Sequence, residues 1–168
     1  MPDPDRASRG GSAPVPDRRG ALARSPIVSW ILRVGTAAAL GIDAAVHVHL
    51  APAYDPVKAT VSQGELFRLE AGLAIVAGLL VLIRPGPSSW IIAFLVGAGG
   101  LAAVLLYRYV DVGPLGPVPD MYENTWQVPG KLLSAYAEGV VVILTPLGLL
   151  AHRGPATTRK HASRPSEQ

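Results

Sequence analysis

Four apolar blocks, at Ile27–Leu50, Glu65–Ile83, Ser89–Val110 and Lys131–Ala151, dominate this chain. Each is close to or above the roughly 20 residues that a helix needs to cross the hydrocarbon core of a bilayer. Short amphipathic stripes, the mark of a water-soluble helix, are not what these blocks show. The expected fold is therefore all-α: a four-transmembrane-helix bundle over residues 26–151, with a polar tail on either side. Charged residues make up only 16% of the 168 residues, too few to coat a soluble domain of this size.

The tails and connections are read by composition. Residues 1–25 are rich in Pro, Gly, Asp and Arg and read as a disordered N-tail. Arg18-Arg19 before an apolar run is similar to a twin-arginine export signal, but the run is long and carries Arg33, so an uncleaved first helix is the better reading. Residues 152–168 form a basic C-tail. Arg33, near the start of the first block, can snorkel to the interface. Pro52 and Pro56 are expected to stop the first helix, and Ser62 with Glu65 fits the S-x-x-E capping box that opens the second. Gly72, Ala74, Ala77 and Gly78 permit close helix packing, as do Gly97, Gly99 and Gly100. Residues 111–130 are too rich in proline for a helix. Tyr122 and Trp126 in that loop can cap the bundle mouth or rest on lipid headgroups, and the headgroup reading is preferred.

Topology follows from Lys and Arg. Arg6, Arg9, Arg18, Arg19 and Arg24 lie in the N-tail, Arg84 in the middle turn, and Arg153, Arg159, Lys160 and Arg164 in the C-tail. The positive-inside rule then sets both termini in the cytoplasm of a multi-pass plasma-membrane protein, with residues 51–64 and 111–130 facing outward. The net charge of +3 reflects this arrangement and does not point to nucleic acid. The partners to expect are the lipid bilayer and a second copy or another membrane protein. No cysteine is present, which excludes disulfides and thiolate chemistry.

Ionisable residues inside apolar blocks are costly and mark candidate sites. They are Asp43 and His47 in the first block, Arg68 and Glu70 in the second and Glu138 in the fourth. Counting helix rise from the outward ends puts Asp43 and Glu138 about 10 Å deep and Glu70 about 8 Å deep, so three carboxyl groups share a layer. His47 is one turn from Asp43 on the same helix face. Three readings are open. Arg68 with Glu70 and His47 with Asp43 make a structural ion-pair network. His47, Asp43, Glu70 and Glu138 make an N/O ligand set for a divalent metal. The same groups make a proton relay. No nucleophile-elbow sequence or phosphate-binding glycine loop is present, which leaves a catalytic Ser-His-acid set open without a motif to support it. The function expected is an outward-facing polar pocket in a binding or accessory membrane protein, with an ion- or proton-coupled carrier as the alternative.

His47 in AAVHVHL, Glu65, Leu66 and Phe67 in QGELFRLEA, and Glu138 in SAYAEGVVV carry a resemblance over residues 27–151. The chain resembles a group of small four-helix integral membrane proteins of actinobacterial type. Its architecture is also similar to that of DoxX-like four-helix proteins, some of which are linked to quinone or thiosulfate oxidation. That second likeness implies a redox or quinone-linked membrane subunit; it is architectural, with no DoxX-type motif.

Overall fold

The computed structural model describes residues 25–152, and the expectations for both tails lie outside them. Four helices follow one another: α1 (Pro26–Tyr54), α2 (Gln63–Ile83), α3 (Pro87–Tyr109) and α4 (Lys131–His152). All four are long and apolar enough to cross a membrane. They form a ring in which each helix packs on the next in sequence and α4 closes back on α1. The short connections after α1 and α2 make those neighbours antiparallel.

Local chemistry sets the helix ends. Pro26 and Pro87 stand in the first turns of α1 and α3, where a missing N–H costs nothing. The capping box at α2 is complete: Glu65 N–H donates to Ser62 Oγ (3.0 Å) and Ser62 N–H donates to the Glu65 carboxylate (2.7 Å). Gly130 takes φ +88°, a left-handed conformation suited to glycine, just before α4.

The expectation about the end of α1 is refined. Pro52 does not stop the helix, which runs two residues past it to Tyr54 and ends within APAYDP, before Pro56. That end is tied down from outside, because the Tyr54 ring leans on Phe67 (5.0 Å) and its hydroxyl donates to Glu123 Oε1 (2.9 Å). The Arg33 guanidinium donates to the carbonyls of Val81 (3.1 Å) and Leu82 in the last turn of α2. It thereby satisfies groups that the C-terminus of α2 leaves unpaired.

The core is small-residue packing: Ala39, Leu40, Ala44, Ala71, Ala74, Ala77, Val81, Trp90, Ala93 and Val141. Gly97 sits against Val141 and Gly148 against the Trp90 indole, so closely that a Cβ at either position would collide. Gly72 and Gly99 have open space around them, so the close packing expected of them is absent. The outer surface carries Ile31, Leu69, Leu95, Ile143 and Leu150, each at least 60% exposed. An apolar surface of that extent fits lipid and not water.

The long connection folds back over one end of the bundle. Pro117 O accepts the N–H groups of Thr60 (3.2 Å) and Val61 (3.1 Å), joining the two loops on that side. Glu123 N–H donates to Tyr107 O (2.9 Å). Tyr122 is exposed, whereas Trp126 packs edge-on against Tyr109 at 6.3 Å. The loop thus folds over the bundle mouth, with Trp126 packed against α3 and Tyr122 exposed, and Glu123 and Pro117 help to hold it there.

Candidate functional site

The buried end of the site is built on α1 and α4. Asp43 is 1% exposed and Glu138 is 2% exposed. Asp43 Oδ1 accepts from the Ser134 hydroxyl (2.5 Å) and from His47 Nδ1 (3.1 Å). His47 Nδ1 also lies 3.1 Å from the Asp43 carbonyl, one turn back on the same helix. These contacts place a proton on Nδ1, donated toward Asp43. The Phe67 ring stands edge-on to the imidazole at 5.2 Å and fixes its other side.

Glu138 comes from α4 to the same place. One ligating atom each of Asp43, His47 and Glu138 lies within 4.8 Å of the other two. That is an N/O donor set of the kind that hard or borderline divalent cations accept. Glu70 is half-buried on α2 and falls outside this trio, so the expected four-residue metal set reduces to three. Glu70 and Glu138 still meet at Gly100 of α3. The Cβ that Gly100 lacks would collide with Glu138 Oε1 and lie 3.3 Å from Glu70 Oε1. Glycine at this position leaves room for two carboxylates from different helices.

Arg68 does not join them. It makes a bidentate pair with Asp55, both contacts 2.7 Å, on the exposed rim. Two residues on a helix are about 200° apart, so Arg68 and Glu70 face opposite ways. The expected Arg68–Glu70 ion pair is therefore absent. The guanidinium holds the Asp55 carboxyl below its ordinary range.

A cavity of about 300 Å³ opens above this layer, with Glu70, Glu138, His47 and Ser134 on its polar side. Its remaining walls are chiefly Leu66, Phe67, Leu73, Ala103, Val104 and Tyr107. At the mouth, Lys131 Nζ donates to the Glu123 carbonyl (2.9 Å) and carboxylate (3.0 Å). The lysine is thus committed to the loop and does not neutralise the acids below. Asp43 Oδ2, Glu70 Oε1 and Glu138 Oε2 are buried with no hydrogen-bond partner among the described residues. On the far side, Leu40, Ala74, Ala77, Val81 and Val141 are almost wholly buried and close the bundle.

Sequence reasoning missed Ser134, Gly100, Tyr54, Glu123 and Lys131 as parts of this site. Ser134 carried a usable signal: it is four residues before Glu138 and on the same helix face. Glu123 and Gly100 carried none, because their partners are distant in sequence.

The fold and the site together define a four-helix membrane-type bundle with a buried acid–histidine cluster. Comparison with models of known families, with curated proteins and with solved structures finds no match to the chain.

Proposed function

We propose that this is an integral membrane binding protein whose intrabundle cavity takes a small positively charged ligand. The observation that carries the proposal is the set of three buried carboxylate oxygens, on Asp43, Glu70 and Glu138, that lack any partner. Buried unsatisfied acceptors are rare in native proteins, and each calls for a cause. A structural ion-pair network would leave Glu70 paired with Arg68, yet Arg68 is engaged by Asp55. A bound cation supplies the missing charge and the missing donors together.

Binding is favoured over transport by the apolar layer at Leu40, Val81 and Val141, which separates the cavity from the opposite end of the bundle. With both tails cytoplasmic by their Arg and Lys content, the cavity lies at the outer end of the bundle, beneath the long loop.

The test is titration of purified full-length protein in detergent with Mn²⁺, Zn²⁺ and small organic amines, followed by calorimetry and thermal unfolding. One of these cations should bind and raise the unfolding midpoint, and Glu138→Gln should abolish the effect. Equal responses in wild type and Glu138→Gln would overturn the proposal.

A further inference from the structure

We infer that the cation is an amphipathic amine, an ammonium head on a short apolar body, that reaches the cavity from the bilayer between α2 and α3. The inference rests on the cation-binding reading above and names the class of ligand.

Size comes first. A cavity of about 300 Å³ is at the lower end of the range for small-molecule sites and far exceeds what one ion fills. Polarity comes second. Leu66, Phe67, Leu73, Val104 and Tyr107 line the body of the cavity, while Glu70 and Glu138 converge at Gly100. A ligand that satisfies both regions is apolar along its length and charged at one end.

Donor count selects the head. Three carboxylate oxygens are unpaired, on Asp43, Glu70 and Glu138, and the latter two residues line the cavity. A primary ammonium offers three N–H donors and no acceptor, which matches acceptors alone. A quaternary ammonium has charge but no N–H, so it would leave the oxygens unpaired. A bare metal ion would use the Asp43–His47–Glu138 trio and leave the apolar space unexplained.

The route is lateral. Leu69 and Leu73 line the cavity and are 60% and 46% exposed, so its wall reaches the lipid-facing surface of α2. Gly99 of α3 lines it too, and no atom lies within 4 Å of where its Cβ would be. Among neighbouring helices, α2 and α3 touch least. The mouth, by contrast, is latched by Tyr54–Glu123 and Glu123–Lys131.

The experiment titrates full-length protein in detergent with octylamine, octan-1-ol, octyltrimethylammonium and Zn²⁺ by calorimetry. Octylamine should bind at least about tenfold more tightly than either control, because octan-1-ol brings one donor and no charge and octyltrimethylammonium brings charge and no donor. Glu138→Gln should remove that preference. Should Glu138→Gln fail to fold, Glu70→Gln at the half-buried carboxylate gives the same comparison. Octan-1-ol binding as tightly as octylamine, or octylamine binding unchanged in the variants, would overturn the inference. Zn²⁺ binding that is lost in Glu138→Gln, with no octylamine binding, would leave the cation reading standing and remove the amine. Failure of both probes to bind would remove the two together.

Discussion

The two ends of this bundle differ in what glycine makes room for, although Gly64 at the loop-covered end also packs tightly, against the Ala51 carbonyl and Asp55. Toward the end where α1 begins, Gly148 receives the Trp90 indole, itself 3% exposed. Further along, Gly97 receives Val141. Toward the loop-covered end, Gly100 faces the tips of Glu138 and Glu70. Gly148 and Gly97 bring rigid apolar groups together, while Gly100 keeps space for flexible charged ones. The lesson is that close packing stabilises one half, and the other half keeps a cavity and three unpaired carboxylate oxygens. Such an arrangement is costly to the fold and intelligible as a site.

The sharpest way to break this comparison is one substitution made at several positions. Gly148→Ala should cost about 1–3 kcal/mol, the usual penalty for overpacking, since the buried indole cannot step aside. Gly97→Ala should behave similarly, because β-branched Val141 is stiff. Thermal or denaturant unfolding in detergent measures both, and wild-type stability for either would dissolve the contrast.

Asp43→Ala comes next, at about 1–2 kcal/mol. It leaves the Ser134 hydroxyl without its acceptor and the His47 Nδ1 proton with only the Asp43 carbonyl. Asp43→Asn keeps an acceptor and should recover most of the loss, which distinguishes a hydrogen-bonding role from a charge role.

Gly100→Ala should change stability by less than about 0.5 kcal/mol. The carboxylate tips can swing away, and alanine favours the helix over glycine. Cation binding should nevertheless fall, because the methyl group occupies the place where Glu138 and Glu70 converge. A destabilisation as large as that of Gly148→Ala would mean that this end is packed like the other.

A smaller effect separates Asp55 from the buried acids. Arg68 lowers the Asp55 pKa in the folded state, so the pair's stabilisation is complete above the ordinary carboxylate value of about 3.9. It is lost as pH falls through the folded value. Unfolding midpoints of wild type and Asp55→Asn should therefore differ slightly at neutral pH and merge in strong acid. A gap that widened on acidification would reverse the assignment.

Much of the fold was legible because bilayer length and capping chemistry are local. Ser62 and Glu65 announce the start of α2 by themselves, and the described helix ends lie within a few residues of the apolar blocks. Pro52 misled, since the contacts that carry α1 past it come from Phe67 and Glu123. In the site, the i,i+4 relation gave Asp43 with His47, and depth counting brought Glu138 to their level. The same counting underplayed α1: with the helix reaching Tyr54, Asp43 lies about 16 Å from its end. Arg68 was misassigned because its depth was considered without its direction. Glu123 was invisible, as a loop residue's partners depend on where the chain returns.

The most direct measurement compares the unliganded unfolding of wild type and Glu138→Gln by chemical denaturation in detergent. If the buried carboxylates serve a ligand, the amide removes an uncompensated buried charge and stability stays equal or rises. If instead Glu138 is held as a structural ion partner of His47 beside Asp43, the same change costs about 3–5 kcal/mol, as breaking a buried pair does, and the claim of a binding site is contradicted.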